Sequence, residues 1–358
     1  MKKIGIVTIY DINNFGNRLQ AYALYKYISN LGYDCEQIKS NGNVGLVGLV
    51  YKIRENIKKQ VDFALHKNVR KRKYNFKKFN KNIRFSKFFI RNNHVSNKIN
   101  EYYSYFVVGS DQVWNPYFAG FDYYFLNFVS EKVKKISYSA SIGVSTVSLD
   151  YSKKMKMFLN DFNHISVRED EANTLIRQIT DRNDIKTLLD PTMLLTANEW
   201  EKVMKKPKIY NGKPYILLYF LGKLSQKRRK EIDALASKEQ CYIIEILNPK
   251  DPYYESGPSE FIYLEKNAKY IFTDSFHSSV FSIIFNVPFI IYNREENGWE
   301  SMNSRINTLI STLELHDRWY NEKEITYNNL HADYTKAHEI INMKRKESEA
   351  FLKQALSK

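Results

Sequence analysis

Three side chains stand where chemistry is most easily done, each just past a short apolar run. They are Asp111 in "VVGSDQVWN", Arg168 in "HISVREDEA" and His277 in "YIFTDSFHSSVFSIIF". A histidine that opens a helix lies near the positive helix end, so it can act as a general acid or an anion ligand. The plainer reading is a capping or packing histidine. Asp274, Ser275, Ser278 and Ser279 crowd around His277 and favour the first. A guanidinium at Arg168 offers a planar fork that suits carboxylate or phosphate, or it simply pairs with Glu169 or Glu171. Asp111 reads as a helix cap, a base or an acceptor for a sugar hydroxyl. Arg305 in "MNSRINTLI" opens another helix and reads more readily as structural.

The elements that position these groups alternate. Strands are predicted over 3–10, 103–109, 134–141 and 164–167, with helices over 18–31 and 49–82. "LLDPTMLLTANEWEKV" carries a break at Asp190-Pro191 and an N-cap at Thr196, which marks a boundary. A second series follows, with strands 215–220, 241–247, 269–273 and 288–292 separated by helices 224–237, 258–267 and 275–286. Strands alternating with helices predict βαβ units and parallel sheets. Two such series predict an α/β chain with two Rossmann-type domains, parallel sheets facing a central cleft. The domains are 1–195 and 196–332, and a helix over 333–358 packs back on the first.

Ligands of parallel sheets bind outside the carboxyl ends of the strands. There this sequence places Asn14, Gly16, Asn17 and Arg18; Ser110, Asp111 and Gln112; Arg168; Ser275, His277 and Ser278; and Arg294. The first loop, "DINNFGNRLQ", has too few glycines for a dinucleotide fingerprint. No HExxH, clustered Cys/His or paired-Asp spacing is present, so no metal or cofactor is expected. Cys35 and Cys241 match neither a zinc nor a disulfide framework.

The net charge of +16 is concentrated. Residues 49–100 hold 16 Lys and Arg against Glu55 and Asp62, which leaves +14. The segment reads as a solvated helical face or as a surface for a polyanion or an anionic membrane. It carries no nucleic-acid recognition motif, so no nucleic acid is expected. Apolar runs such as "VFSIIFNVPFIIY" are short and broken, and "KKIGIVTIY" lacks a signal-peptide layout. A cytoplasmic chain, one able to work at the inner face of the membrane, is expected.

Seven segments in order resemble the polysaccharide pyruvyl transferase family: "NNFGNRLQAYAL", "VVGSDQVWN", "SYSASIG", "ISVREDEA", "LDPTML", "GPSEFIYLEKNAKYIFTDSFHSSVFSIIFNVPFIIY" and "NSRINTLI". The resemblance implies a GT-B-like fold, a phosphoenolpyruvate donor and a sugar acceptor, free or lipid-linked, from a surface polysaccharide. The product it implies is a pyruvate ketal bridging two hydroxyls. It also implies His277 as general acid and Arg168 as donor-anion ligand, with Arg305 a further candidate. The reaction needs a hydroxyl acceptor, a role suited to Asp111. Some members carry Arg-Leu-His where this chain has Ser275-Phe276-His277, so a second anion-binding arginine must be Arg18, Arg294 or Arg305. In GT-B-like enzymes the N-terminal wall serves the acceptor. That assigns Asn14, Gly16, Asn17, Arg18, Ser110 and Gln112 to the acceptor, and Arg168, Ser275, Ser278, Arg294 and Arg305 to the donor. Two other readings remain open. One is a nucleotide-sugar glycosyltransferase of the same fold, with Glu260 reaching a ribose. The other is a non-catalytic glycan- or membrane-binding relative using the basic segment.

Overall fold

In the computed structural model the chain divides into two units. Met1–Val61, Lys81–Leu194 and Met343–Lys358 form one, and Asp62–Asn80 with Leu195–Asn342 the other. The structure describes residues 2–9, 14–41, 67–116, 121–294, 304–320, 325, 330–331 and 333–357. Residues 49–66 of the basic segment lie outside the described residues.

The first unit is built on β1 (Lys3–Val7), β2 (Asp34–Asn41), β3 (Phe85–Arg91), β4 (Tyr105–Val108) and β5 (Lys135–Ser137). They form an all-parallel sheet in the order β3-β2-β1-β4-β5. β6 (Ser166–Val167) pairs with β7 (Lys186–Thr187), and bridges Ile136–His164 and Ala140–Val167 set β6 beside β5. β4 is buried along its whole length, as expected of an apolar run covered on both faces. The first helix, Phe15–Asn30, begins at Asn14, whose side chain accepts from the Asn17 N–H at 3.0 Å. It ends before Gly32, which takes φ = 91°, a conformation glycine adopts without a Cβ penalty.

β2 and β3 were not expected from the sequence. β2 reads "DCEQIKSN", without an apolar run or a clean alternation, yet Cys35 to Ile38 are all buried. Its Glu36 survives there because the Tyr103 hydroxyl donates to it at 2.6 Å and Lys3 pairs with it at 3.0 Å. Those partners come from β1 and from the approach to β4, so local pattern could not reveal them.

The second unit holds β8 (Tyr215–Tyr219), β9 (Tyr242–Glu245), β10 (Tyr270–Thr273) and β11 (Phe289–Ile291), all parallel in the order β11-β10-β8-β9. Helices Gln226–Lys238, Pro258–Asn267 and Phe276–Ile284 alternate with these strands. Thr196 and Glu199 form a capping box at the helix Ala197–Glu201, whose Trp200 is fully buried edge-on to Phe281 at 5.0 Å.

The basic helix Lys67–Phe79 belongs to this second unit, a correction to the expected boundary. Its inner face explains why. Phe76 and Phe79 are buried, Arg72 donates to the Tyr254 carbonyl at 3.0 Å, and Asn75 donates to that of Glu255 at 2.9 Å. Burial pulls the Arg72 guanidinium down to about 10, so it keeps its charge at neutral pH. The last helix, Thr335–Leu356, is also divided. Residues 335–342 count with the second unit and 343–356 with the first. Within the first unit Arg345 donates to the Met193 carbonyl at 2.7 Å, and Phe351 lies against Tyr138 and His164.

The basic helix approaches Gly257 so closely that a Cβ there would meet Asn75 Cβ at 2.7 Å and Asn75 backbone at 3.0 Å. Gly257→Ala is therefore expected to destabilise the second unit by about 1–3 kcal/mol, the usual cost of forced repacking. Urea unfolding followed by circular dichroism reads this out, and an unchanged midpoint would count against the docking described.

Candidate functional site

In each unit the strand order turns at one place, and there the parallel-sheet rule puts a crevice. In the second unit the turn lies between β8 and its neighbour β10. Asp274, directly after β10, organises it. Its two carboxylate oxygens accept from the backbone N–H groups of Leu221 and Gly222, both at 2.7 Å. Arg294, after β11, holds the same carboxylate through Nε at 3.3 Å and donates from Nη2 to the Asp274 carbonyl at 3.4 Å. The Arg294 stem lies over Gly222, where a Cβ would come within 2.5 Å of it. Ser275 occupies the N-cap of the helix Phe276–Ile284, and its N–H donates to Thr273 Oγ1 at 3.0 Å. His277 is the second residue of that helix, at its positive end and 7% exposed.

Next to Ser278 lies a group that the sequence reading missed. Glu265 is fully buried, and its Oε1 accepts from Ser278 Oγ at 2.7 Å. Burial pushes its carboxyl well above the ordinary range, more than the Ser278 hydrogen bond lowers it. The signal was present in "FIYLEKN": Glu265 follows Phe261 by four residues, on the buried face of its helix. Ser278 was expected to meet a donor, but its hydroxyl hydrogen is committed to this internal bond. Arg305 is half-buried in the first turn of the helix Ser304–Thr312. Glu260 is engaged locally, accepting from the Gly257 N–H at 3.2 Å and pairing with Lys205 at 3.4 Å. That leaves it poorly disposed to reach a ribose. A cavity of about 330 Å³ opens at the carboxyl ends of β8 and β9, where Arg229 is held by Glu245 and Asp233.

In the first unit the turn lies between β1 and β4. Asn17, in the first turn of its helix, donates from Nδ2 to Asp111. Gln20 donates to Thr8 Oγ1 at 2.9 Å, and Thr8 donates to the Ser110 carbonyl at 3.1 Å. Asp111 has φ = 64°, and its Oδ1 accepts from the Gln112 N–H at 2.9 Å. The Gln112 side chain lies against Gly143, leaving no room for a Cβ there. Arg18 was expected to face the acceptor side of the cleft. It is 1% exposed.

Arg168 takes up the pairing with Glu169 that the sequence offered and adds two further carboxylates. It is fully enclosed and faces three carboxylates: Asp190 at 2.7 Å, Asp111 at 3.5 Å and Glu169 at 3.8 Å. Burial alone would lower its pKa, but Asp190, Asp111 and Glu169 together raise it. Its partners are themselves anchored. Asp190 accepts from Ser110 Oγ at 3.0 Å and from Thr192 N–H and Oγ1 at 2.9 and 2.6 Å. Glu169 accepts from Ser141 Oγ, Ile142 N–H and Gly143 N–H at 2.7, 2.9 and 3.1 Å. The guanidinium thus ties together the loops after β4, β5, β6 and β7. Its fork is engaged with carboxylates within the unit. Glu169 was one of the two partners the sequence offered Arg168, and Asp190 was not singled out. Asp190 read as part of a Pro break, and only its fold partners reveal its charge role.

The sequence pattern of the family described as polysaccharide pyruvyl transferase matches residues 14–296, most of the chain. The chain belongs to that family. No curated protein matches it in sequence. Among solved structures, a protein described as a UDP-N-acetylglucosamine 2-epimerase from Listeria monocytogenes shares 11% identity, with 99% of this chain and 91% of that chain covered and a TM-score of 0.51. A UDP-GlcNAc 2-epimerase from Methanocaldococcus jannaschii shares 14% identity over 96% of this chain and 99% of that one, with a TM-score of 0.49. MurG from Acinetobacter baumannii shares 9% over the full length of both chains, with a TM-score of 0.41. The fold is GT-B, an α/β chain of two units with parallel sheets.

Two measurements check this geometry. Arg168→Met leaves buried carboxylates without their counter-charge and is expected to cost about 3–5 kcal/mol of stability in urea unfolding. A loss under 1 kcal/mol would instead mark a guanidinium held in reserve for a ligand. The second concerns Glu265, whose folded pKa lies above the unfolded value of about 4.3. Its contribution is therefore fully present below that pH and is lost as pH rises through the folded pKa. Unfolding free energy of the wild type, measured against Glu265→Gln, is expected to fall as pH rises above about 4.3. Parallel pH profiles for the two proteins would contradict the burial argument.

Proposed function

We propose that this chain transfers the enolpyruvyl-derived group of phosphoenolpyruvate to two hydroxyls of one sugar, in a surface polysaccharide or its free or lipid-linked precursor. The product is a pyruvate ketal, and phosphate is released. The observation that carries the reading is the family match over residues 14–296, which includes His277, Arg294 and Asp111. The donor carries a carboxylate and a phosphate on one enol carbon. Protonating its methylene makes that carbon electrophilic. One sugar hydroxyl then adds, phosphate departs, and a second hydroxyl closes the ring.

In the second unit, His277 at the positive helix end supports the role of proton donor to the methylene, and Arg294 that of anion ligand, with Arg305 and Ser275 as further donor contacts. In the first unit, Asn14, Asn17 and Asp111 support the acceptor role, with Asp111 receiving the hydroxyl proton. Gly16 and Gln112 shape that loop. Arg168 acts as a positioning residue that fixes Asp111, and Ser110 and Arg18 are buried. No cofactor enters this scheme.

Purified protein supplied with phosphoenolpyruvate and lipid-linked or free glycans is expected to release phosphate. His277→Ala is expected to lower kcat by about 10²–10⁴-fold, the usual contribution of a general acid. Normal turnover in that variant would remove His277 from the mechanism. Thermal shift against a panel of nucleotide sugars tests the donor, since only a true donor raises the unfolding midpoint. Stabilisation by a nucleotide sugar alone would overturn the reading.

A further inference from the structure

The helix Lys67–Phe79 has two chemically opposed faces. The inner one carries Arg72, Phe76 and Phe79 and anchors the helix to the second unit. The outer one exposes Lys67, Arg70, Lys71, Lys73, Lys77 and Lys78, and the helix contains no acidic residue. Beside it the segment 205–209, "KKPKI", exposes three more lysines. Between helix and segment lies a cavity of about 280 Å³, its lining including Lys71, Lys78, Lys205 and Lys208, the carboxylates Glu255 and Glu260, and Tyr74 and Ile209. Glu255 pairs with Lys71 at 2.6 Å and Glu260 with Lys205 at 3.4 Å. Among the described residues, Lys78 and Lys208 have no carboxylate partner.

Charge alone would describe a solvated face. Two apolar side chains argue for more. Tyr74 is 64% exposed and Ile209 is 40% exposed, and both line the same cavity as the lysines. Single exposed apolar residues are ordinary, but an aromatic ring and a branched aliphatic chain framed by lysines match the composition of interfacial surfaces. There the ring and aliphatic chain enter the headgroup layer while ammonium groups meet lipid phosphates. Among the described residues no helix is long and apolar enough to cross a membrane, so any such contact is peripheral.

We propose that the outer face of Lys67–Phe79 and the segment 205–209 form a docking surface for an anionic phospholipid bilayer, with a headgroup phosphate held in the cavity between Lys78 and Lys208. The site narrows the long basic segment to one face of one helix and adds a partner segment distant in sequence. It does not depend on the reaction proposed above. Its readout is vesicle binding, so its failure leaves that reading untouched.

The test uses the full chain and flotation with vesicles of phosphatidylglycerol and phosphatidylcholine, compared with phosphatidylcholine alone. Binding to the anionic vesicles only, weakening with added salt, is expected. Lys78→Glu with Lys208→Glu is expected to weaken it at least tenfold, and Tyr74→Ala with Ile209→Ala at least threefold. All four side chains are on the surface, so an unchanged unfolding midpoint is the check on folding. Should the charge reversal misfold, Lys78→Gln with Lys208→Gln serves in its place. Lys223→Glu with Lys230→Glu makes the same charge change elsewhere on the unit and is expected to leave binding within twofold. An equal loss in that control would reduce the effect to net charge and overturn the site. No flotation of the wild type would also overturn it. So would single-stranded DNA binding as tight as vesicle binding and lost in the same variants.

Discussion

The first unit is organised around one enclosed cation. Arg168 directly follows β6, and it reaches the loops after β4, β5 and β7 through three carboxylates that have their own hydrogen bonds. A guanidinium suits that place because its fork can serve several carboxylates without changing geometry. Neutralising it would leave Asp190 and Glu169 buried without counter-charge, a far larger penalty than an exposed ion pair could impose. The positions of Asp111 and, through it, Asn17 follow from that constraint.

The second unit solves a similar problem with the charges reversed. There a carboxylate, Asp274, is the hub, and it gathers two backbone N–H groups and Arg294. The loop after β8 is thereby closed onto the loop after β10, and the helix bearing His277 starts from a fixed point. Glu265 supports the same helix from inside the core. Burial disfavours the charged form there and raises its carboxyl pKa well above the ordinary range, and Ser278 donates a hydrogen bond to it. The basic helix Lys67–Phe79 shows how the unit tolerates concentrated positive charge. One guanidinium is turned inward onto a carbonyl and aromatic rings, and the remaining cations face outward where water solvates them.

Much of this architecture was legible beforehand. The apolar runs that became β1, β4, β8, β10 and β11 stood out because a parallel strand covered on both faces needs little but apolar residues. The helices expected over 224–237 and 258–267 followed from their alternation with those strands, and they form at Gln226–Lys238 and Pro258–Asn267. β2 did not, because its stability comes from Tyr103, Lys3 and Arg84 acting on Glu36. Position left Arg168 open as an anion ligand or as a partner of Glu169 or Glu171, because a place at a strand end says where a side chain begins and not what charge surrounds it.

The sequence by itself determined the alternation of strands and helices, the family, and which residues stand at the strand ends. These depend on local preference and on order along the chain, which a linear reading preserves. Only the tertiary structure decided which of those residues remain available. It enclosed Arg168 among carboxylates, turned Ser278 toward Glu265, buried Arg18, and assigned the helix Lys67–Phe79 to the second unit. Each of these outcomes depends on contacts between segments tens to hundreds of residues apart. The energies of such contacts, desolvation set against charge pairing, exist only once the chain has folded.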